Sequence, residues 1–368
     1  MKLNLIHYFS ILLISISACS QVKSLNNSND NFQLIVPELD IPWGFTFLPD
    51  NSILITEKEG DLILFKDGIK TNISGKPEIE VRGQGGLMDL ELHPDYKNNG
   101  WIYFSYASSK GGGNGCNTAI MRAKITNNKL TNKELLYKAT PNSTKGQHFG
   151  SRIVFDNKGY LYFSIGERGE RDINPQDITR DGGKIYRLKD DGSIPQDNPF
   201  YNTPNANKAI YSYGHRNPQG MKIHPDSGDL WTHEHGPKGG DEINIIKAGF
   251  NYGWPVITYG KNYSGTSITD NTSLPGMEQP LHYWVPSIAP SGMAFISSDI
   301  YGNWKGSLLV GSLKFNYVDK CTLKNNKIIK EERLLDGFGR VRSIEQGPDG
   351  YIYVGIENLG IVKLLPKK

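Results

Sequence analysis

The sequence predicts an all-β fold, a six-bladed β-propeller formed by residues 32–368, and three observations predict it. An apolar run, a Pro-Asp or Asp-Gly type turn and a second run rich in aromatic and β-branched residues recur six times, which is the pattern of a β-hairpin. The 41 glycines and 20 prolines are typical of a turn-rich protein. No stretch beyond the N-terminus shows sustained helical periodicity, so long helices are not expected.

Each hairpin corresponds to one blade of the predicted propeller. The copies occupy residues 44–56, 87–106, 152–166, 220–234, 292–312 and 342–356. Because a single blade can bury its two faces only against its neighbours, a series of similar hairpins favours a closed ring. The repeats extend over most of the 368 residues, so we expect one folded domain.

The first 18 residues have the features of an export signal. Lys2 precedes an apolar segment over residues 9–16, and small residues come directly before Cys19. We interpret residues 1–18 as a lipoprotein signal peptide and Cys19 as the acylated residue; an ordinary cleaved signal with an incidental cysteine is the alternative. Residues 19–31 are small and polar, which is typical of a flexible tether. The protein is therefore predicted to be exported and lipid-anchored in a bacterial envelope, at the outer membrane facing the periplasm.

The net charge argues against one class of partner, and the cysteines leave one covalent link open. A formal net charge of +3 in 368 residues gives no support for nucleic-acid binding. Beyond Cys19 the chain has Cys116 and Cys321, which could form a disulfide in an oxidising compartment, although nothing in their spacing brings them together.

Basic side chains recur at one edge of the hairpins. Residues just before the first strand of a hairpin and just after its second strand share one face of the disc, because the two strands are antiparallel. The cations at such positions are Arg168, Arg216, Lys314, Arg340 and Arg342. Their mutual repulsion favours a multiply charged anionic ligand at this mouth. The alternative is that several pair with acids of the same rim, namely Glu57, Glu167, Glu234 and Glu357.

Two further features of this face suggest chemistry. His148 lies at the entrance to the third hairpin and is a candidate general base, because an imidazole titrates near neutral pH; a histidine that merely caps a turn is an equal alternative. Asp241 and Glu242 lie in a Gly-rich loop whose hard oxygen ligands suit Ca²⁺. His233 and His235 share one strand face, but no third ligand has the spacing of a zinc site, so calcium is favoured.

Nine blocks of sequence resemble the soluble pyrroloquinoline quinone (PQQ) dependent aldose sugar dehydrogenases, relatives of soluble glucose dehydrogenase. In chain order they are GQGGLMDLELHPDY, HFGSRIVF, IGERG, GGKIYRL with DGSIPQDNPF, YGHRNPQGM, EHGPKGGDEIN with NYGWP, PSIAPSGM, GSLK and GRVRSI. They run from about Leu39 to Leu365. The resemblance implies a six-bladed propeller that oxidises aldoses at the anomeric carbon to lactones, with hydride passing to the quinone and His148 as the general base.

The resemblance also implies a set of site residues. PQQ would contact Gln84, Arg168, Arg216, Asn217, Lys314, Arg340 and Arg342. The carbonyls of Gly236 and Pro237 would bind a Ca²⁺ beside the cofactor, and Asp241, Glu242 and Tyr252 would bind a second, structural Ca²⁺. Tyr283, Trp284 and Ser287 would line the sugar entrance. Gln147 stands before His148, where soluble glucose dehydrogenase has an acid that orients the histidine.

Two other functions are compatible with a propeller, since fold alone does not fix chemistry. A calcium-dependent lactonase or other hydrolase would need an axial metal held by carboxylates and asparagines. A non-catalytic carbohydrate-binding propeller would lack the histidine or the cations. The leading interpretation has aldose sugars and an unidentified electron acceptor as partners, a lipid anchor as its only membrane contact, no nucleic-acid partner, and a monomeric or homodimeric state.

Overall fold

The computed structural model describes residues 32–366 and confirms the predicted all-β six-bladed propeller. Each blade is a four-stranded antiparallel sheet, and each predicted hairpin forms the first two strands counted from the axis. The proposed signal peptide, the tether and Cys19 lie outside the described residues. Among residues 32–366, no helix is long and apolar enough to cross a membrane.

The first three blades follow one another along the chain. Blade 1 contains β2 (Pro42–Phe47), β3 (Ile53–Glu57), β4 (Leu62–Lys66) and β5 (Ile69–Asn72). Blade 2 contains β6 (Leu87–Leu92), β7 (Ile102–Ser108), β8 (Asn117–Thr126) and β9 (Lys129–Lys138), with the short helix α1 (Tyr96–Asn99) in its first turn. Blade 3 contains β10 (Ile153–Phe155), β11 (Leu161–Ile165), β12 (Lys184–Leu188) and β13 (Ile210–Tyr213).

The remaining blades close the ring. Blade 4 contains β14 (Pro218–Ile223), β15 (Leu230–Glu234), β16 (Asp241–Ile246) and β17 (His282–Trp284). Blade 5 contains β18 (Pro290–Phe295), β19 (Leu308–Ser312), β20 (Tyr317–Lys324) and β21 (Lys327–Leu334), with a 3₁₀ helix (Asp299–Trp304) in its first turn. Blade 6 contains β22 (Val341–Gln346), β23 (Ile352–Ile356) and β24 (Gly360–Leu364), and its outer strand is β1 (Phe32–Pro37). The two ends of the described chain therefore pair in one sheet.

The hydrophobic core lies between the blades, as the repeat pattern requires. One cluster joins Leu54 of blade 1 to Leu90 and Phe104 of blade 2, all at most 3% exposed. Equivalent clusters fill other blade interfaces, and one of them packs Leu309 of blade 5 against Ile344 of blade 6. Each blade is therefore stabilised by apolar burial against its neighbours.

The innermost strands meet around the buried side chain of Arg152, which precedes β10. Its Nε donates to the carbonyl of Gln219 at 2.6 Å, and its Nη1 donates to Asp89 Oδ1 at 3.0 Å. The same guanidinium donates to the carbonyls of Trp43 at 3.3 Å and Arg342 at 2.9 Å. These acceptors belong to the first strands of blades 1, 2, 4 and 6, so one side chain links them to blade 3.

The two described cysteines do not form the disulfide that an oxidising compartment would permit. Cys116 and Cys321 are both buried and both free. Cys116 directly precedes β8 of blade 2, whereas Cys321 lies within β20 of blade 5. The two thiols belong to blades that are not neighbours in the ring, so the fold itself keeps them apart.

Arg152→Met should destabilise the protein strongly. The variant leaves Asp89 buried without its cation and leaves the strand carbonyls without donors, so we expect the free energy of unfolding to fall by about 3–5 kcal/mol. Equilibrium urea unfolding, followed by tryptophan fluorescence, measures this. The control is Lys305→Met, which breaks the exposed pair with Asp299 and should change the free energy of unfolding by less than about 1 kcal/mol. Equal effects of the two variants would contradict the role of Arg152.

Candidate functional site

His148 and Glu167 face each other across the third blade. His148 precedes β10 and Glu167 follows β11, so the antiparallel hairpin brings them to the same edge. The imidazole Nδ1 and Glu167 Oε1 are in direct contact. Glu167 is 2% exposed, and its Oε2 has no hydrogen-bond partner. A buried carboxylate on Nδ1 fixes the ring and leaves Nε2 as the free nitrogen.

The backbone conformation at His148 fixes the direction of its imidazole ring. Its φ of 57° is in the left-handed region, which few residues other than glycine adopt, and its N–H donates to Gln84 Oε1 at 2.8 Å. Burial lowers the pKa of His148 below its ordinary value, while the hydrogen bond with Glu167 opposes that shift. The imidazole is therefore neutral at neutral pH and able to accept a proton.

Arg216 and Asn217 form the neighbouring wall, directly before β14. Arg216 Nη1 donates to the carbonyls of His235 and Gly236, both at 2.9 Å. Asn217 Oδ1 accepts from the Gly150 N–H at 3.0 Å, but its Nδ2 is buried without a partner. The site thus contains an unused donor beside the arginine.

The other predicted cations form a second group on blade 6 and the end of blade 5. Arg340 Nε donates to Glu357 Oε2 at 2.6 Å, and Arg342 Nε donates to Glu357 Oε1 at 2.9 Å. Lys314 is exposed, with its Nζ 4.9 Å from the centre of the Phe315 ring. The alternative of acid pairing therefore holds for two of the five predicted cations, and Arg216 binds carbonyls instead.

A cavity of about 540 Å³ opens beside His148 and falls within the usual size of a small-molecule site. Its lining comes from blades 2, 3 and 4: Gln84, Gln147, His148, Glu167, Gly169, Glu170, Arg171, Asp172, Ile173, Arg216 and Tyr263. Arg171 Nη1 donates to Asn262 Oδ1 at 2.7 Å and so joins the loops of blades 3 and 4. The ring of Tyr263 is 74% exposed at the rim, where it can pack against a sugar.

Arg168 occupies a different place from the one predicted. It is 1% exposed, and its guanidinium carbon lies 3.4 Å from the centre of the Phe149 ring. It donates to the carbonyls of Gln147, Cys116 and Lys145. Burial lowers its pKa to about 10, and the group still remains charged at neutral pH. Arg168 therefore holds the loop that carries His148 and does not line the cavity.

Asp241 also departs from the prediction of a metal ligand, because its two oxygens are already occupied. It accepts from the Gly236 N–H at 2.7 Å, from the Ser287 hydroxyl at 2.8 Å, and from the Ile288 and Ala289 N–H groups at 2.7 and 2.9 Å. Burial still raises its pKa to about 6. Asp241 shapes the loop that presents the carbonyls of Gly236 and Pro237.

Of the three residues predicted at the sugar entrance, only Tyr283 is exposed. Its ring stacks on Tyr259 at 3.8 Å between centroids and is 44% exposed. Trp284 is 7% exposed and donates from Nε1 to Glu331 at 2.6 Å, while the Ser287 hydroxyl is bound to Asp241. The strand alternation turns Trp284 into the interface with blade 5.

A small cavity of about 10 Å³ beneath the mouth is bordered by Glu242, Glu234 and Tyr252. That volume is roughly the space of one water or one ion. Glu234 is bound to His215 Nδ1 at 2.8 Å and to the Arg216 N–H. Burial, and then the charge of Glu234, raise the pKa of Glu242 above its ordinary value. Two carboxylates around a hole of this size suit a divalent cation, which would share the cavity wall with Arg216.

The sequence reasoning missed the role of Glu167 and the loop residues of the cavity. Glu167 was assigned only as a partner for the arginines, yet its Oε1 is in contact with His148 Nδ1. Its position could have been predicted, because it follows the strand that pairs with the strand after His148. Glu170, Arg171, Asp172 and Tyr263 lie in loops without a repeat pattern, and no sequence signal identified them.

Comparison with known proteins gives consistent matches over nearly the whole described chain. The protein-family model described as Glucose / Sorbosone dehydrogenase matches residues 39–363. Aldose sugar dehydrogenase YliI of Escherichia coli (strain K12) is 40% identical over 356 residues, which cover 95% of this chain and 95% of that protein.

Solved structures agree with the sequence comparison. The soluble aldose sugar dehydrogenase from Escherichia coli in its apo-form aligns with a TM-score of 0.88 at 41% identity, over 91% of this chain and 99% of that one. The PQQ-bound form of an aldose sugar dehydrogenase from Streptomyces coelicolor aligns with a TM-score of 0.75 at 27% identity, over 90% of this chain and 96% of that one.

Without bound cations, Glu242 should contribute a loss of stability as pH rises from about 5 to 8. Glu242 keeps its proton in the folded state, whereas the unfolded chain loses it near the ordinary glutamate pKa of about 4.3, so raising the pH favours unfolding by up to about 1.4 kcal/mol per pH unit. Urea unfolding in a chelator at several pH values measures this dependence. Glu242→Gln should flatten it, and Glu278→Gln, which breaks the Lys247 pair, should not. An unchanged slope in Glu242→Gln would contradict the assignment.

Proposed function

The chain belongs to the glucose/sorbosone dehydrogenase family, as one of its soluble PQQ-type aldose sugar dehydrogenases, and we propose that it oxidises aldoses to lactones using PQQ, Ca²⁺ and His148. It is an oxidoreductase that acts on sugar donors. The observation that carries the finer proposal is the contact between the buried carboxylate of Glu167 and His148 Nδ1, at the wall of a cavity that also holds Arg216.

The residues of the mouth fit a flat polyanion with carbonyl groups. Asn217 Nδ2 is a buried donor without a hydrogen-bond partner. Such a donor destabilises the fold unless a bound ligand accepts a hydrogen bond from it. Arg216 stands beside it, and Lys314 is exposed at the same face of the propeller. Arg340 and Arg342 share one carboxylate, Glu357, so a net positive charge remains for the carboxylates of PQQ.

His148 would act on the sugar hydroxyl. Its neutral Nε2 accepts the proton of the anomeric hydroxyl, and Glu167 stabilises the imidazolium that forms. PQQ, when bound, would accept the hydride from the anomeric carbon. The loop containing Arg171 and the exposed ring of Tyr263 border the open side of the cavity, where the sugar would lie.

Calcium would occupy two places. The carbonyl of Pro237 would hold one ion beside the cofactor, together with that of Gly236 once Arg216 Nη1 turns from it to the cofactor. Both carbonyls lie in the loop shaped by Asp241. The small cavity bordered by Glu242 and Tyr252 would hold the second. A cation there would offset the paired negative charges of Glu234 and Glu242.

The hydrolase alternative is not favoured by any observation of the described residues. It requires an axial metal with carboxylate and asparagine ligands, whereas the axis is filled by the guanidinium of Arg152. A purely carbohydrate-binding role leaves the oriented imidazole without a purpose.

Reconstitution tests the proposed function. Purified protein, treated with a chelator and then incubated with PQQ and CaCl₂, should reduce a redox dye with several aldoses, and omission of Ca²⁺ or PQQ should abolish the rate. Absence of dye reduction with every aldose, together with unchanged PQQ absorbance on mixing, would overturn the proposal.

Replacing the general base should abolish most of the rate without preventing cofactor binding. We expect His148→Gln to retain PQQ binding, measured by absorbance titration, and to lose about 100-fold or more in kcat. The matched control is His93→Gln, because His93 follows β6 at the opposite face and packs on Phe155. Wild-type turnover in His148→Gln would remove His148 from this role.

The pH dependence of kcat/KM shows whether Glu167 acts through the pKa of His148 or only stabilises the fold. Because burial lowers the pKa of His148, the acid limb of kcat/KM should lie below the ordinary histidine value of about 6.5. Glu167→Gln removes the group that raises this pKa, so the limb should move to still lower pH while kcat falls. Glu134→Gln, which breaks an exposed pair with Arg122, is the control. An acid limb of kcat/KM at the same pH in Glu167→Gln as in the wild type would show that Glu167 does not affect the pKa of His148.

A further inference from the structure

A cluster of side chains that can bind a metal lies on the outer strands of blade 5. Asp319 and Cys321 are two residues apart on β20 and therefore share one face. Glu331 on β21 is directly opposite Cys321 in the strand register. One oxygen of each carboxyl and the Cys321 sulfur all lie within 4.8 Å of one another.

The cluster contains a buried carboxyl group, that of Asp319, with one oxygen that has no hydrogen-bond partner. Asp319 is 4% exposed, and its Oδ1 has no hydrogen-bond partner. Arg333, which pairs with Asp319 in the strand register, places its guanidinium over the ring of Tyr317. Cys321 is fully buried with a free thiol. A buried, unpartnered carboxylate oxygen destabilises a fold unless a proton or a cation completes it.

Strand β17 of blade 4 adds a nitrogen donor from the other side of the blade interface. His282 Nε2 lies 3.3 Å from Glu331 Oε1. Trp284 Nε1 donates to the same oxygen at 2.6 Å and fixes the Glu331 carboxylate. The available donors are therefore one sulfur, one nitrogen and two carboxylates.

We propose that Asp319, Cys321, Glu331 and His282 bind a divalent transition metal of the zinc class. Sulfur, nitrogen and carboxylate oxygen form a donor set that Zn²⁺ accepts, whereas Ca²⁺ requires oxygen ligands throughout. Bonds of about 2.0–2.3 Å in a tetrahedron place ligand atoms about 3.3–3.8 Å apart. The atoms of Asp319, Cys321 and Glu331 lie within 4.8 Å of one another, so these three need movements of only about 1 Å to close on an ion. His282, on the neighbouring blade, would complete the set by a further side-chain movement.

The site is accessible and would fasten two blades together. A cavity of about 270 Å³ is lined by Trp284, Asp319 and Glu331, and the Glu331 side chain is 39% exposed, so an ion can enter from solvent. The ligands come from the outer strands of blades 4 and 5, where the blades diverge and no axial contact reaches. The metal would therefore stabilise the propeller without taking part in sugar oxidation.

Cobalt binding tests the proposal, because Co²⁺ bound to a thiolate gives a charge-transfer band in the near ultraviolet. The purified protein is first saturated with Ca²⁺, so that oxygen-ligand sites are filled, and then titrated with CoCl₂. We expect one equivalent of Co²⁺ with this band, displaced by one equivalent of Zn²⁺. Binding without the band, or no uptake of either metal, would overturn the proposal.

Variants identify the ligands. Cys321→Ser should lose the band, and Cys116→Ser, which alters the other buried thiol, should retain it. Asp319→Asn should weaken Co²⁺ binding by about 10-fold or more, since even outer partners of a metal site contribute that much. Circular dichroism verifies that each variant is folded, and Asp319→Asn carries the test if Cys321→Ser does not fold. A band that persists in Cys321→Ser, or unchanged affinity in Asp319→Asn, would refute the assignment.

Discussion

The structure depends on how the backbone carbonyls at the propeller axis are satisfied. The first strands of blades 1, 4 and 6 each contain a bulge near the start, and the bulged residues are Trp43, Gln219 and Arg342. A bulged residue is left out of the strand pairing, so its carbonyl needs another donor. Arg152 donates to all three of these carbonyls, and its charge is balanced by Asp89 of blade 2. A guanidinium carries five N–H donors in one plane, so a single arginine can bind several carbonyls that lie close together at the axis.

The same bulges explain why the reactive groups collect at one face. A bulge turns the strand and re-aims the side chains before it. Asn217 stands directly before bulged β14, and Arg342 is itself a bulged residue whose guanidinium turns to Glu357. His148 reaches the same face through a left-handed backbone conformation. The rigid axis therefore supports the loops whose side chains form the candidate site.

The repeat pattern sufficed to predict the fold, since all six hairpins appear as the inner strands of blades. It also placed His148 and Arg216 at one cavity, because antiparallel strands bring their ends to a common edge. The pattern could not tell which way a side chain turns within that edge. Arg168 was predicted at the mouth, yet its left-handed φ of 59° turns it beneath Phe149. The resemblance likewise could not show that the carboxylate oxygens of Asp241 accept hydrogen bonds from backbone N–H groups.

Four acids of this protein, Asp89, Asp241, Glu242 and Asp319, differ in the hydrogen-bond donors around them. Asp89 and Asp241 have a full set of partners, a guanidinium for one and amide and hydroxyl donors for the other. These hydrogen bonds occupy their oxygens, although burial still raises the pKa of Asp241 to about 6. Glu242 and Asp319 are different, because a neighbouring carboxylate adds to burial in raising the pKa of each. A fold retains such unstabilised pairs at a cost, and a cation converts that repulsion into attraction. The distribution of hydrogen-bond donors, and not the mere presence of carboxylates, therefore distinguishes the places where this propeller can hold a metal.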